Sequence, residues 1–194
     1  FLARHGDWNI RVDATPDFSA FEAEAVDFDL RYGLGGWKGL SVFPILSDHV
    51  LPVVSPAYLA QLQALAPRDP VAQLAAARLV DSVKARLRWD VWLARQRITL
   101  PKLSLPLRFD RSSMSIEMAR QGFGIALEST ALCLPDLQSG ALVPLSPAFD
   151  VLSFEAYWFV CPPQHMNRRI VRLFADWLTD EGRAHDAQSV ALLT

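Results

Sequence analysis

The sequence predicts an α/β fold. Strand-like and helix-like hydrophobic patterns alternate along the whole chain. Clear helix starts such as Ser55-Pro56 follow apolar, strand-like runs. The composition, 51% hydrophobic and 21% charged, is that of a globular chain able to bury a sizeable core. Strands joined through helices normally run parallel, so the sheets are expected to be largely parallel. The chain carries no fixed-period repeat.

The elements follow in order. Trp8 to Ala14 alternates apolar and polar residues and reads as a strand. After Pro16, the spacing of Phe18, Phe21 and Ala25 predicts a short helix that Asp17 could cap. Phe28 to Tyr32 reads as a strand ending in the turn Gly33-Leu34-Gly35-Gly36. That glycine cluster lacks the Lys-Ser/Thr pair of a phosphate loop, and no helical pattern follows it, so no nucleotide site is expected there. Ser41 to Leu46 and Val50 to Val54 read as two strands, with Pro44 suggesting an edge position. Ser55 as N-cap and Pro56 at the first helical position open a helix with Tyr58, Leu59, Leu62 and Leu65 as its buried stripe.

A short helix over Ala72 to Ala77 and a strand over Arg78 to Val83 come next. Trp89, Trp92, Leu93 and Gln96 fit one amphipathic helix. Pro106 to Phe109 is a strand, and a helix runs from the following serines to about Gln121, with Gly122 at a left-handed C-cap position. Gly124 to Glu128, Leu142 to Leu145 and Phe154 to Cys161 are strands, with a short helix over Leu132 to Gln138. The last helix buries Ile170, Val171, Phe174 and Leu178, and is expected to end near Gly182, leaving residues 183–194 as a tail.

Charge and chemistry narrow the function. With 19 Lys and Arg against 21 Asp and Glu, the net charge is −2, so this segment lacks the basic excess of a nucleic-acid surface. Residues 78–97 hold six basic side chains against two acidic ones, but a solvated helix face around the tryptophans accounts for them. Cys133 and Cys161 support neither a disulfide framework nor a thiolate metal site and read as small buried hydrophobes. The four histidines stand apart, no Gly-x-Ser-x-Gly elbow occurs, and no cofactor motif is found, so neither an enzyme nor a metal site is expected. No apolar run reaches the roughly 20 residues that cross a bilayer. With Phe1 in place of Met, the sequence is expected to be a fragment or a processed product.

The informative stretch is Phe109-Asp110-Arg111-Ser112-Ser113, where a strand ends and a helix begins. The first backbone N–H groups of a helix lack partners and carry the positive end of its dipole, so such a place binds anions. Ser112 and Ser113 add hydroxyl donors there, and Arg111 a guanidinium if it points inward. The same residues also fit a plain cap by Asp110 or Ser112 with Arg111 solvated. Tyr157, on the strand face opposite Trp158, is a second candidate. Arg31 and Tyr32, at a strand's carboxyl end, are a third.

In combination these pieces resemble a known family. Asp27 to Gly33, Gly36-Trp37-Lys38-Gly39-Leu40, Val50 to Pro56, Trp89-Asp90-Val91-Trp92-Leu93, Phe109 to Ser113, Gly122 to Leu127, Ala156 to Val160 and Phe174 to Leu178 occur in the order found in the effector-binding domains of LysR-type transcriptional regulators. Arg31-Tyr32-Gly33 and Tyr157-Trp158 are most similar to the branch containing the glycine-cleavage and β-lactamase activators.

The resemblance implies two Rossmann-like lobes joined by a hinge, similar to type 2 periplasmic binding proteins. It places the first lobe at residues 1–53 and 158–182, the second at 54–157, and a small ligand in the interlobe cleft. Ser112, Ser113 and Tyr157 match the family's ligand contacts, with Arg111, Tyr32 and Arg31 beside them. The family's usual first strand and its winged helix-turn-helix are absent from this sequence. The expected protein is thus the sensing part of a cytoplasmic transcription regulator that binds a small, carboxylated metabolite. The resemblance also implies antiparallel dimers of this domain, tetramers of the whole protein, and DNA contact only through the other domain, with no membrane partner. The alternative is an extracytoplasmic solute-binding protein of the same fold.

Overall fold

The computed structural model describes residues 1–15, 17, 18, 21 and 26–193. The chain divides into two compact units. One comprises Phe1–Ser47 and Glu155–Gln188, and the other Asp48–Phe154 and Ser189–Thr194.

The second unit is the larger by sequence and holds the parallel strands. Its strands are the carboxyl half of β2 (Ser41–Val54), β3 (Leu79–Ser82), β4 (Leu107–Phe109), β5 (Ile125–Ser129) and β6 (Val143–Pro144). Its helices are α1 (Pro56–Leu65), α2 (Pro70–Ala76), α3 (Trp89–Arg95), α4 (Ser112–Arg120) and α5 (Thr130–Ser139). β3 runs parallel to both β4 and β5, whereas β2 pairs antiparallel with β5 and β6.

The sheet is therefore mixed, not largely parallel as expected. Parallel pairing is confined to strands linked by the crossovers through α3 and α4; β2 reaches the sheet by another route. Alternation along the strands sends Val50, Val54, Leu79, Ile125 and Leu127 to one face, against Tyr58, Leu62, Leu74, Trp89 and Trp92. Leu51, Val53, Val80 and Ala126 face the other way, against Ile116, Ala119 and Cys133. Burial on both faces explains the nearly unbroken apolar run of β2's second half.

Local chemistry sets the helix ends. Ser55 caps α1 by accepting from the Tyr58 amide. Asp69 does the same for α2 through the Ala72 amide at 2.9 Å. Gly122 and Gly140 supply left-handed backbone at φ +78° and +73° after α4 and α5. The Trp89 indole donates to the Val80 carbonyl at 2.8 Å, which satisfies its one polar atom inside the core.

The first unit contains β1 (Asp29–Tyr32), the start of β2, most of β7 (Leu152–Cys161), a short 3-10 turn over Pro163–Asn167 and most of α6 (Arg169–Leu193). β1 pairs antiparallel with β7. Phe159 stacks between Phe28 and Phe43, with ring centroids 4.7 and 4.9 Å away, and Val171 and Ala175 of α6 close the core.

Four further expectations are corrected or lie outside the structure. Ser41–Val54 is one 14-residue strand, not two, because the polar residues in its middle find hydrogen-bond partners: Asp48 accepts from the Ser129 hydroxyl, and His49 Nδ1 lies 2.7 Å from Ser153 Oγ. Trp8 to Ala14 forms no strand; the segment is exposed and lacks a partner ladder. The helix expected from Phe18, Phe21 and Ala25 lies outside the described residues. Finally, α6 does not stop at Gly182 but continues to Leu193, so residues 183–193 are helix and not a frayed tail. Gly182 is there for close approach: a Cβ on it would fall 2.1 Å from the Ile45 carbonyl oxygen.

Candidate functional site

In the second unit the polar residues gather at the carboxyl ends of the parallel strands. Ser82 ends β3, Arg111 and Ser112 follow β4, and Glu128 and Ser129 end β5. The strand order is β5-β3-β4. The chain leaves β3 towards β4 on one side, and leaves β5 towards β6, beside β2, on the other. The space between β3 and β5 is thus a topological switch point, where open α/β sheets bind ligands.

α4 begins there without a side-chain cap. Arg111 occupies the N-cap position in extended conformation, no side chain bonds to the first amides, and no acidic residue lies in the first turn. Neither Asp110 nor Ser112 serves as the cap that the sequence allowed. The Met114 and Ser115 amides reach back to the Arg111 carbonyl at 3.1 and 3.4 Å. The start of the helix therefore keeps unfilled N–H donors and its positive dipole end. Ser112 is half-buried, while Ser113 and Arg111 are exposed.

Behind Ser112 lies a buried polar group that the sequence reading passed over. Glu128, 3% exposed, accepts a hydrogen bond from the Ser82 hydroxyl, and the Ser112 hydroxyl favours its charged form. Ser82 Oγ also lies 2.7 Å from Ser115 Oγ. Burial pushes the Glu128 carboxyl up from 4.5 to about 7; the two serine hydroxyls oppose this, and the nearby Asp48 carboxylate adds to it. The signal available in the sequence was a lone carboxylate directly after three apolar residues in a five-residue strand. Elsewhere in this unit, the buried Asp81 is matched by Arg88 at 2.7 Å and Arg108 at 3.3 Å.

In the first unit, Tyr32 and Tyr157 are cross-strand neighbours on β1 and β7, with ring centroids 5.1 Å apart. Tyr32 is exposed and Tyr157 half-buried. Arg31 is turned away from them on the opposite face of β1. Its guanidinium, 6% exposed, pairs with Asp29 at 3.0 Å and lies under Phe18, Trp37 and Phe21 at 4.3, 5.3 and 5.6 Å. The Trp158 indole donates to the Gly33 carbonyl at 2.9 Å, tying the glycine turn to β7. The structure thus groups Arg111, Ser112 and Ser113 in one unit and Tyr32 with Tyr157 in the other, and sets Arg31 apart inside an aromatic cage.

Among the described residues no group of His, Cys, Asp or Glu is arranged to hold a metal ion, and no helix is long and apolar enough to cross a membrane. Cys133 and Cys161 are free and buried, and burial pushes the Cys133 thiol up to about 12.

These features define a domain of the LysR effector-binding class, with the type 2 periplasmic-binding-protein-like fold. Residues 1–183 match the LysR substrate binding domain family, and the chain belongs to it. It is 33% identical over 183 residues to the HTH-type transcriptional regulator y4mQ of Sinorhizobium fredii, covering 93% of this chain and 59% of that protein. It is 27% identical over 178 residues to the glycine cleavage system transcriptional activator of Escherichia coli, covering 91% and 56%. The chain therefore spans little more than half the length of these relatives. Among solved structures it is similar to the effector domain of the transcriptional regulator AmpR of Pseudomonas aeruginosa, at TM-score 0.76 and 25% identity over 97% of this chain and 88% of that one. These relatives are named as transcription regulators, which does not favour the transporter alternative.

Proposed function

We propose that this chain is the ligand-sensing part of a LysR-type transcription regulator and that it binds a small carboxylated metabolite. The observation that carries this reading is the uncapped start of α4, flanked by Ser112 and Ser113 at the switch point of the parallel strands. The first amides of α4 and the Ser113 hydroxyl hold the ligand carboxylate. Arg111 supplies a guanidinium at the rim. Tyr32 and Tyr157, paired ring to ring in the other unit, belong to the same proposal on family resemblance alone. Arg31, enclosed by Asp29 and three rings, braces its own unit and does not touch ligand.

Ligand that binds one arrangement of the protein better than another shifts the population towards that arrangement, and so controls a DNA-binding domain elsewhere in the protein. The chain's net charge of −2 suits a sensor that leaves DNA contact to that other domain. Antiparallel dimers of this domain, tetramers of the whole regulator and a cytoplasmic location belong to the same proposal and rest on family resemblance. Titration calorimetry of wild type and Ser113→Ala with carboxylated amino-acid and peptide ligands tests the site. Loss of a hydrogen bond to a charged group costs about 1.5–3 kcal/mol, so the variant is expected to bind at least roughly ten-fold more weakly. Equal affinity in both proteins removes Ser113 from the site.

A further inference from the structure

α6 buries one stripe along its length, and the chemistry of that stripe changes at Gly182. Before it come Val171, Ala175 and Leu178, which belong to the core around Phe159. After it, at the same helical spacing, come His185, Ser189 and Leu193. Ser189 is fully buried, and its hydroxyl has no hydrogen-bond partner among the described residues. The Nε2 atom of His185 is also buried and unpartnered. A buried polar atom without a partner has given up its hydration and gained nothing in return. Leu193 packs against the core that holds Leu51, Val53 and Leu142, while Val190 and Leu192 stay exposed.

This end of the helix brings little stability of its own. Residues 183–193 are fewer than the roughly 12–15 that make an isolated helix even marginal in water. Gly182, which precedes them, is the least helix-favouring residue of α6. No basic residue lies in the last turn to offset the negative end of the helix dipole.

The chain passes from one unit to the other three times: within β2 at Ser47–Asp48, within β7 at Phe154–Glu155 and within α6 at Gln188–Ser189. The first two passages lie in strands held by ladders. The third lies in the weak end of α6, and Leu193 is its apolar anchor.

We infer that residues 183–193 are a latch: they leave and regain their packed place in one cooperative step, with both units otherwise folded. Opening strips Leu193 from the core of the second unit and leaves β2 and β7 as the only passages of the chain between the units. The latch lies beyond residue 183, where the match to the family ends, and it does not depend on the reading of α4.

Hydrogen exchange of the full chain at pH 7, resolved by residue with NMR, tests this. The amides of residues 185–193, corrected for intrinsic rates, are expected to share one exchange rate, about 100-fold or more above that of Val171 to Thr179. Leu193→Ala is expected to speed the whole set by about five-fold or more, and the exposed Leu192→Ala to change it by less than about two-fold. Ser189→Ala, which removes the unpartnered hydroxyl, is expected to slow the whole set by about five-fold. Protection that declines steadily towards the carboxyl end, with each substitution felt only by its neighbours, is ordinary fraying and overturns the latch. Rates equal to those of Val171 to Thr179 overturn it as well, because this part of α6 then opens only with the rest of the helix. Equal effects of Leu193→Ala and Leu192→Ala overturn the anchoring role of Leu193, and a Ser189→Ala chain that exchanges as fast as wild type overturns the role given to the unpaired hydroxyl.

Discussion

Glu128 makes stability depend on pH in a direction opposite to that of an ordinary salt-bridged carboxylate. Its folded-state carboxyl titrates at about 7, against an ordinary 4.5, chiefly because burial penalises the charge. Between those two values the folded chain keeps a proton that the unfolded chain has released. The folded state therefore binds more protons there, and stability falls as pH rises through this window. At about 1.4 kcal/mol per pH unit, the full effect from this one group is roughly 3 kcal/mol, reached above pH 7.

Glu128→Gln removes the titration while keeping the size of the side chain and an oxygen that accepts from Ser82. Urea unfolding of wild type and variant at pH 5 and pH 8 isolates the term, because every other titrating group is common to both proteins. The wild type is expected to match or exceed the variant at pH 5, and to lose roughly 2–3 kcal/mol relative to it by pH 8. A difference between the two proteins that does not change with pH, or that changes in favour of the wild type at high pH, refutes the argument that burial dominates at Glu128.

Two further outcomes are expected. Gly182→Ala, which in an open helix would stabilise by about 0.5–1 kcal/mol, is expected to destabilise by on the order of 2 kcal/mol because the new Cβ meets the Ile45 carbonyl oxygen; a rise in melting temperature would show that α6 does not lie against β2 there. Arg31→Met deprives Asp29, 12% exposed, of its guanidinium and the three aromatic rings of their cation. Urea unfolding is expected to show a loss of roughly 3 kcal/mol with ligand affinity unchanged, and a variant of normal stability but greatly weakened binding would make Arg31 a ligand contact instead.

Features set by neighbouring residues were legible in the sequence. The Ser55-Pro56 helix start, the left-handed glycine after α4 and the tryptophan stripe of α3 each follow from chemistry within a few positions. What depended on distant partners was not legible. Asp48 and His49 look like a break between two strands until Ser129 and Ser153 are brought to them. Gly182 reads as a helix stop until Ile45 is placed beside it. The alternation at Trp8 to Ala14 resembles a strand but has no ladder to join. The same holds at the site. Ser112 and Ser113 announced themselves by following a strand, whereas Glu128 gained its meaning only when Ser82, 46 positions earlier, was brought to its carboxylate.

The first unit is made from both ends of the chain, and this bears on how the protein comes into being. β1 meets β7 only through pairs such as Asp29 with Val160, which close a loop of roughly 130 residues. Asp48–Phe154 is by contrast one continuous stretch, and its parallel strands are joined by single helical crossovers. On a ribosome, that stretch is complete before β7 has been synthesised through its length. All of the second unit but its last few residues is placed to assemble first, while Phe28 and Phe43 wait for Phe159 to arrive and fill the gap between them. A premature stop within β7 before Phe159 would release a chain with its parallel sheet formed and the aromatic core of its other unit unfilled.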